Sequence, residues 1–194
     1  MRTELTPEMV LCAYRLGIFP MADADGALYW YSPDPRCIFE YDRFRIPRSL
    51  RPIIRQGKFE IRVNTAFDEV IRSCAARAEG TWISKEIIAV YSALHRTGHA
   101  HSVESWHAGE LAGGLYGVAL GGAFFGESMF YQVASASNVA LVLLIERLKA
   151  RHFTLIDTQW ATPHLLRFGA LEVSREEYLE RLERALALPC RFAD

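Results

Sequence analysis

Phe153-Thr-Leu-Ile-Asp-Thr-Gln159 is a short, largely apolar run that ends in the polar residues Asp157, Thr158 and Gln159, and it follows closely on the apolar helical stretch Val139 to Ala150. Upstream lie three strand-like segments in succession, His101 to Trp106, Leu111 to Leu120 and Ala123 to Tyr131. His107 to Glu110 reads as the turn between the first two, and Gly121-Gly122 separates the second from the third. Strands, then a helix, then a returning strand predict a mixed α/β sheet domain. In that last strand, alternation puts Leu155, Asp157 and Gln159 on one face. A carboxylate at the end of an otherwise apolar strand must reach water, a partner or a substrate. The plain alternative is an acid that caps the following turn.

Outward from this centre, helices fit Ala66 to Ala78 and Lys85 to Thr97, the second stopped by Gly98. Phe59, Ile61 and Val63 alternate with polar residues as a strand and could open the domain. Ser137-Asn138 offers a cap to the apolar helix, and Ser174 with Glu177 forms a capping box for a last helix, Arg175 to Ala187. Near the start, Thr6-Pro7-Glu8 opens a helix that ends by Gly17, with a hydroxyl at the cap and proline in the first turn. From Phe19 to Pro35, prolines and glycine among Tyr29, Trp30 and Tyr31 predict an irregular, ring-rich loop. The reading is therefore α/β, in the sense of an α+β mixed sheet, with a small N-terminal domain at 1–58 and a larger one at 59–194.

At 194 residues with 51% apolar side chains, the chain can bury a real core. Its formal net charge of −1 excludes a strongly cationic protein that coats nucleic acid. That sum hides a local excess. Arg36, Arg43, Arg45, Arg48, Arg51, Arg55, Lys58 and Arg62 face only Glu40, Asp42 and Glu60 in the window 36–62. Only Lys58, Lys85 and Lys149 are lysines, and arginine is the better residue for bidentate contacts to phosphate or carboxylate. Beside Trp30, Tyr31 and Tyr41, this window has both the cations and the rings of a surface for single-stranded nucleic acid, against the common alternative of a solvated basic face. Cys12, Cys37, Cys74 and Cys190 include no Cys-x-x-Cys pair, so ordinary buried thiols of a reducing compartment are expected. The N-terminus lacks the pattern of a signal peptide, and no apolar run reaches the length of a membrane span. The expectation is a cytoplasmic protein.

Chemistry could sit at a second place, Gly126-Glu-Ser-Met-Phe130, where Glu127 and Met129 are expected on one strand face behind a glycine-rich stretch. Those glycines make neither a Gly-x-Gly-x-x-Gly fingerprint nor a Gly-Lys-Ser/Thr loop. His99, His101 and Glu104 are metal-ligand types, but the two histidines share a face that Glu104 does not, so no metal is expected. His164 is close enough in sequence to Asp157 and Gln159 to assist a proton transfer, or else caps or lies on the surface. No serine sits in a Gly-x-Ser-x-Gly elbow.

Taken together, Gly17-Ile-Phe-Pro20, Trp30-Tyr-Ser-Pro-Asp-Pro-Arg36, Gly80-Thr-Trp-Ile83, His99-Ala-His-Ser-Val-Glu104, Gly113-Gly-Leu-Tyr-Gly-Val118, Gly126-Glu-Ser-Met-Phe130, Leu155-Ile-Asp-Thr-Gln159 and Gly169-Ala170 occur in the order seen in leucyl/phenylalanyl-tRNA-protein transferases. The resemblance covers nearly the whole chain. It implies an aminoacyltransferase that moves Leu or Phe, less often Met, from tRNA to the α-amino group of a protein beginning with Arg or Lys, marking it for degradation by the N-end rule. It implies a C-terminal domain of the acetyltransferase-like (GNAT) kind and no metal or cofactor. Asp157, Gln159 and Glu127 match the family's catalytic and conserved acidic positions. Leu115, Phe124, Met129, Leu141 and Leu144 would line the aminoacyl side-chain site; Met21, Trp82, Arg48 and Tyr14 would serve the tRNA. Two departures stand out: Met21 replaces the family's Trp after Gly-Ile-Phe-Pro, and Asn138 replaces a Lys after Ala-Ser. The residues leave two other readings open, an acyl-CoA-dependent N-acyltransferase and a non-catalytic binder of protein N-termini or tRNA. The expected partners are thus aminoacyl-tRNA and a basic protein N-terminus, with the chain acting as a monomer away from membranes.

Overall fold

The computed structural model describes residues 5–23, 27–76 and 81–193. Gly26, Gly80 and the final residues of the helix expected to run to Ala78 lie outside them. In chain order the elements are α1 (Pro7–Arg15), β1 (Phe19–Ala22), β2 (Leu28–Tyr31), β3 (Arg36–Phe39), α2 (Arg51–Arg55), β4 (Glu60–Val63), α3 (Phe67–Ala75) and α4 (Lys85–Arg96). They continue with β5 (Ala100–His107), β6 (Glu110–Leu120), β7 (Ala123–Tyr131), α5 (Ala136–Ala150), β8 (Leu155–Gln159), α6 (Pro163–Arg167), β9 (Leu171–Val173) and α7 (Arg175–Leu186).

Seven strands form one mixed sheet in the order β4-β5-β6-β7-β8-β3-β9. β7 and β8 are parallel, joined through α5, and the other pairings in the sheet are antiparallel. Apolar side chains cover both faces. One layer is built on α1, α3, α4 and α7, with Val10, Ile71, Tyr91 and Leu182 in its core. The other is built on α5, with Ala140, Val142, Leu144 and Leu148. The lack of a polar stripe on α5 follows from this position, because nine of its fifteen residues are buried.

Local chemistry accounts for most of the boundaries. Thr6, Ser84 and Ser174 each accept a backbone N–H from the first turn of the helix that follows, at 3.2 to 3.3 Å. The cap expected from Ser137-Asn138 is not formed. α5 begins earlier, at Ala136, after Ser135 takes a left-handed conformation (φ 74°), and Ser137 and Asn138 are helical residues. Phe19 to Pro35 is more regular than its prolines suggest. β1 and β2 pair antiparallel, Phe19 opposite Tyr31 and Ala22 opposite Leu28, as a separate two-stranded ribbon.

β3 was not legible as a strand. It lies within residues 1–58, where a small N-terminal domain is expected, yet it is inserted in the large sheet between β8 and β9. Its four residues are all buried, because a strand flanked on both edges and covered on both faces has no solvent side to show in its sequence pattern.

Two irregularities shape the middle of the sheet. Tyr116 opposes Ser128 and Gly117 opposes Gly126, so Glu127 is an extra residue, a β-bulge, on β7. Pairing between β7 and β8 then stops at Phe125 opposite Asp157, and the two strands part beyond it. A Cβ on Gly117 would lie 2.3 Å from the Phe125 carbonyl oxygen and 2.6 Å from the Phe124 ring. We expect Gly117→Ala to lower stability by about 2 kcal/mol or more, read as an earlier urea midpoint at an unchanged slope.

Candidate functional site

A cavity of about 470 Å³ opens where β7 and β8 diverge. Its apolar walls come from β6, β7 and α5, where Leu115, Phe124, Met129, Leu141 and Leu144 all line it. These are the five residues that the sequence resemblance grouped together. Met21 on β1 and Trp82 also line it, joined by a hydrogen bond from the Ala22 N–H to the Trp82 carbonyl at 3.2 Å. Trp160, just beyond β8, completes that side. Its ring meets those of Phe19 and Tyr31 edge-on at 5.0 and 5.6 Å.

The polar side chains form one connected chain behind and along this cavity. Asp157 has no exposed surface. Its Oδ1 accepts from Arg36 Nε at 2.9 Å and from the Gln159 N–H at 2.8 Å; its Oδ2 accepts from Arg36 Nη2 at 2.6 Å and from the Tyr178 hydroxyl at 2.8 Å. Arg36 is 1% exposed, also donates to the Gly17 carbonyl at 3.0 Å, and lies between the rings of Phe19 and Tyr178. Arg36 was expected among the phosphate-binding cations. That role is closed to it, since its guanidinium is consumed inside the protein.

Gln159 is held by Asp157 in a left-handed conformation (φ 67°), which is unfavourable for a residue with a side chain. This turns the carboxamide back across the fork, where its Nε2 donates to Glu127 Oε1 at 2.9 Å. Glu127 also accepts from the Tyr91 hydroxyl at 3.4 Å, and Tyr91 is bonded to Tyr14 at 2.6 Å. The expectation that Glu127 and Met129 share a strand face fails because the bulge interrupts alternation. Glu127 reaches Tyr91 of one layer, whereas Met129 packs on the other. Tyr14, expected to serve the tRNA, has 0% exposure and lies behind Glu127.

Burial pushes the Glu127 carboxyl up to about 7, and the charge of Asp157 adds to the rise. Hydrogen bonds from Tyr14 and Gln159 and the charge of Arg36 act the other way. Glu127 is half-buried and borders the cavity, so it is the carboxylate of the pair that a bound molecule can meet. His164 lines the same cavity, but its Nε2 is enclosed without a hydrogen-bond partner, and burial holds its pKa below the usual value.

The remaining candidates separate cleanly. Glu104 caps the start of α3 by accepting the N–H groups of Thr65 and Ala66, each at 2.9 Å, and it also binds Ser102 and Trp106. His101 is bonded to Asn64 at 3.0 Å. Among the described residues no group of three or more His, Cys, Asp or Glu side chains is placed to hold a metal ion. In the basic window, Arg62 pairs with Glu60 and Arg43 with Glu40. Arg45, Arg48 and Arg51 instead line a surface groove with Arg167 from α6, and none of the four is in an ion pair with a described residue.

Fold and site thus define a mixed α/β protein with an apolar-walled cavity next to a hydrogen-bonded carboxylate and carboxamide, and with a groove of arginines that form no ion pair with a described residue. Residues 38–183 match the family model described as leucyl/phenylalanyl-tRNA protein transferase, and residues 3–34 match the model for that family's N-terminal domain. The chain belongs to this family. It is 57% identical to the leucyl/phenylalanyl-tRNA–protein transferase of Gloeobacter violaceus over 99% of this chain and 100% of that one. The proteins of the same name from Herpetosiphon aurantiacus and Rubrobacter xylanophilus are 52% and 51% identical, over 99% and 98% of this chain and the whole of theirs. Among the described residues, no helix is long and apolar enough to cross a membrane.

Sequence reasoning missed Arg36 as the partner of Asp157, and it missed Tyr91 and Tyr178. A signal for Arg36 was present, since an arginine heads the apolar run Cys-Ile-Phe39 just as Asp157 sits inside one, and two such buried charges need each other. Removing one partner leaves the other charge buried. We expect Arg36→Met to cost about 3–5 kcal/mol, measured by chemical unfolding, and Arg36→Met combined with Asp157→Leu to cost less than that single change.

Proposed function

We propose that the protein transfers Leu or Phe from the 3′ end of an aminoacyl-tRNA to the α-amino group of a protein that begins with Arg or Lys. The observation that carries this reading is the bonded Glu127–Gln159 pair at an apolar cavity lined by Leu115, Leu141 and Leu144. Such a cavity favours an apolar side chain, and a charged one would lose its hydration there. The aminoacyl ester is already activated, so the chemistry needs position, a proton acceptor and stabilisation of a tetrahedral oxyanion, without a covalent nucleophile.

In this reading Glu127 takes one proton from the acceptor's ammonium. The freed nitrogen attacks the ester carbonyl, a C–N bond forms, and the bond from that carbon to the ribose oxygen breaks. The nitrogen's second proton goes to the departing oxygen, and Glu127 returns its proton to solvent. Gln159 spends one N–H on Glu127; its second N–H and its carbonyl oxygen are left to orient the amine and the oxyanion. Asp157, with both oxygens bonded and no exposure, acts by fixing Gln159.

Trp82, Met21 and Trp160 would meet the donor's terminal nucleoside, where Trp160 supplies ring area that Met21 lacks. Arg48 with Arg45, Arg51 and Arg167 would take acceptor-stem phosphates. The parting of parallel β7 and β8 supports a GNAT-like description of the larger domain. A monomer acting in the cytoplasm, on proteins destined for degradation by the N-end rule, completes the reading; it calls for no cofactor.

Incubation with labelled Leu-tRNA or Phe-tRNA and a peptide beginning with Arg should give labelled peptide, and failure of the intact protein to transfer label would overturn the proposal. Glu127→Gln should lower kcat by about 100-fold or more. Arg48→Ala should weaken tRNA binding and reduce the slope of log affinity against log salt by about 1, with kcat for bound donor unchanged.

A further inference from the structure

Tyr14 and Tyr91 are two large polar side chains, each with 0% exposure, in a layer otherwise built from aliphatic and aromatic residues. Neither can touch a substrate. Their hydroxyls are 2.6 Å apart, and the Tyr91 hydroxyl is 3.4 Å from Glu127 Oε2. The Tyr14 hydroxyl also hydrogen-bonds the Glu127 carboxylate and lowers its pKa, so the carboxylate is the common acceptor for both phenols. The two hydroxyls thus form a cluster that ties α1 and α4 to the bulged residue of β7. Rings brace it, with Tyr14 against Phe125 at 4.7 Å and Tyr91 edge-on to Tyr116 at 5.8 Å.

We propose that Tyr14 and Tyr91 are positioning residues for Glu127, which hold its carboxylate toward Gln159 and the cavity in the ionised form that can accept a proton. The proposal rests on the reading of Glu127 as the proton acceptor. A bulge frees Glu127 from strand alternation, so the β7 backbone alone leaves its direction open. The carboxylate is instead fixed at one oxygen by Gln159 and at the other by Tyr91. The remaining groups that act on it are Asp157 on β8, whose charge opposes ionisation, and Arg36 on β3, whose charge favours it. Burial keeps both phenols protonated far above neutral pH, so they act as donors throughout the working range. A donor to a carboxylate stabilises the charged form, and its removal must raise the pH at which that form appears.

Tyr91→Phe and Tyr14→Phe remove one oxygen each and keep the ring. In transfer assays with Leu-tRNA and an Arg-initiated peptide, we expect the acid limb of kcat/KM to move up by about one pH unit in each of Tyr91→Phe and Tyr14→Phe. The alkaline region should be unchanged. Titration of the Glu127 carboxyl carbon by NMR should move by the same amounts. Variants that lose rate or thermal stability with both midpoints unmoved would assign the tyrosines a merely structural role and overturn the proposal. The NMR titration reads the hydroxyl cluster without turnover, so absence of transfer by the intact protein would remove the functional reading and still leave the cluster's effect on Glu127 tested. If one variant does not fold, the other carries the same test.

Discussion

The ion pair between Arg36 and Asp157 is the constraint around which the site is assembled. A guanidinium and a carboxylate, each at 1% exposure or less, are removed from water at a cost of several kcal/mol per ion. That cost is met only because the geometry is bidentate and every remaining polar direction is used. Tyr178 and the Gln159 N–H fill the free positions on Asp157, and the Gly17 carbonyl takes a further guanidinium proton. Four segments, the turn after α1, β3, β8 and α7, are tied to one point. Gln159 inherits its conformation from this point, and Glu127 inherits a partner from Gln159.

Two carboxylates close together here have different environments and so different work. Asp157 is surrounded by donors and a full positive charge. Glu127 has weaker donors, burial and a neighbouring negative charge, which together bring it to about 7. A group poised there is ionised in the upper part of the physiological range and loses that form as pH falls through about 7. An N-terminal ammonium ionises within about one unit of the same value, so proton exchange between the two is nearly balanced.

Much of this was legible in the sequence because its signals are local. Helix caps at Thr6 and Ser174, the three strand-like segments from His101 to Tyr131, and the apolar helix before Asp157 each depend on neighbours a few residues away. The five apolar residues lining the cavity came from resemblance, and the structure places them together. What was hidden is non-local. β3 carries no alternation because both its faces are buried. The bulge at Glu127 reverses the expected pairing with Met129 without any Gly or Pro at 127 itself. Arg36 looked like one more cation in a basic window, and Tyr14 like an available ring, because nothing within several residues of either reports burial. The charge count concealed the same distinction: of the window's eight cations, Arg45, Arg48 and Arg51 line the groove in no ion pair with a described residue, while Arg36 is a structural counter-ion.

The sequence distance spanned by these contacts has a consequence for how the molecule is made. Arg36 waits for Asp157 across 121 positions and for Tyr178 across 142. During synthesis from the N-terminus, the first strands therefore emerge long before the residues that neutralise and enclose them. Arg36 on β3 is therefore enclosed only once β8 and α7 have been made. Arg36, bonded to both Gly17 and Asp157, joins the segments 3–34 and 38–183 that separate family models match.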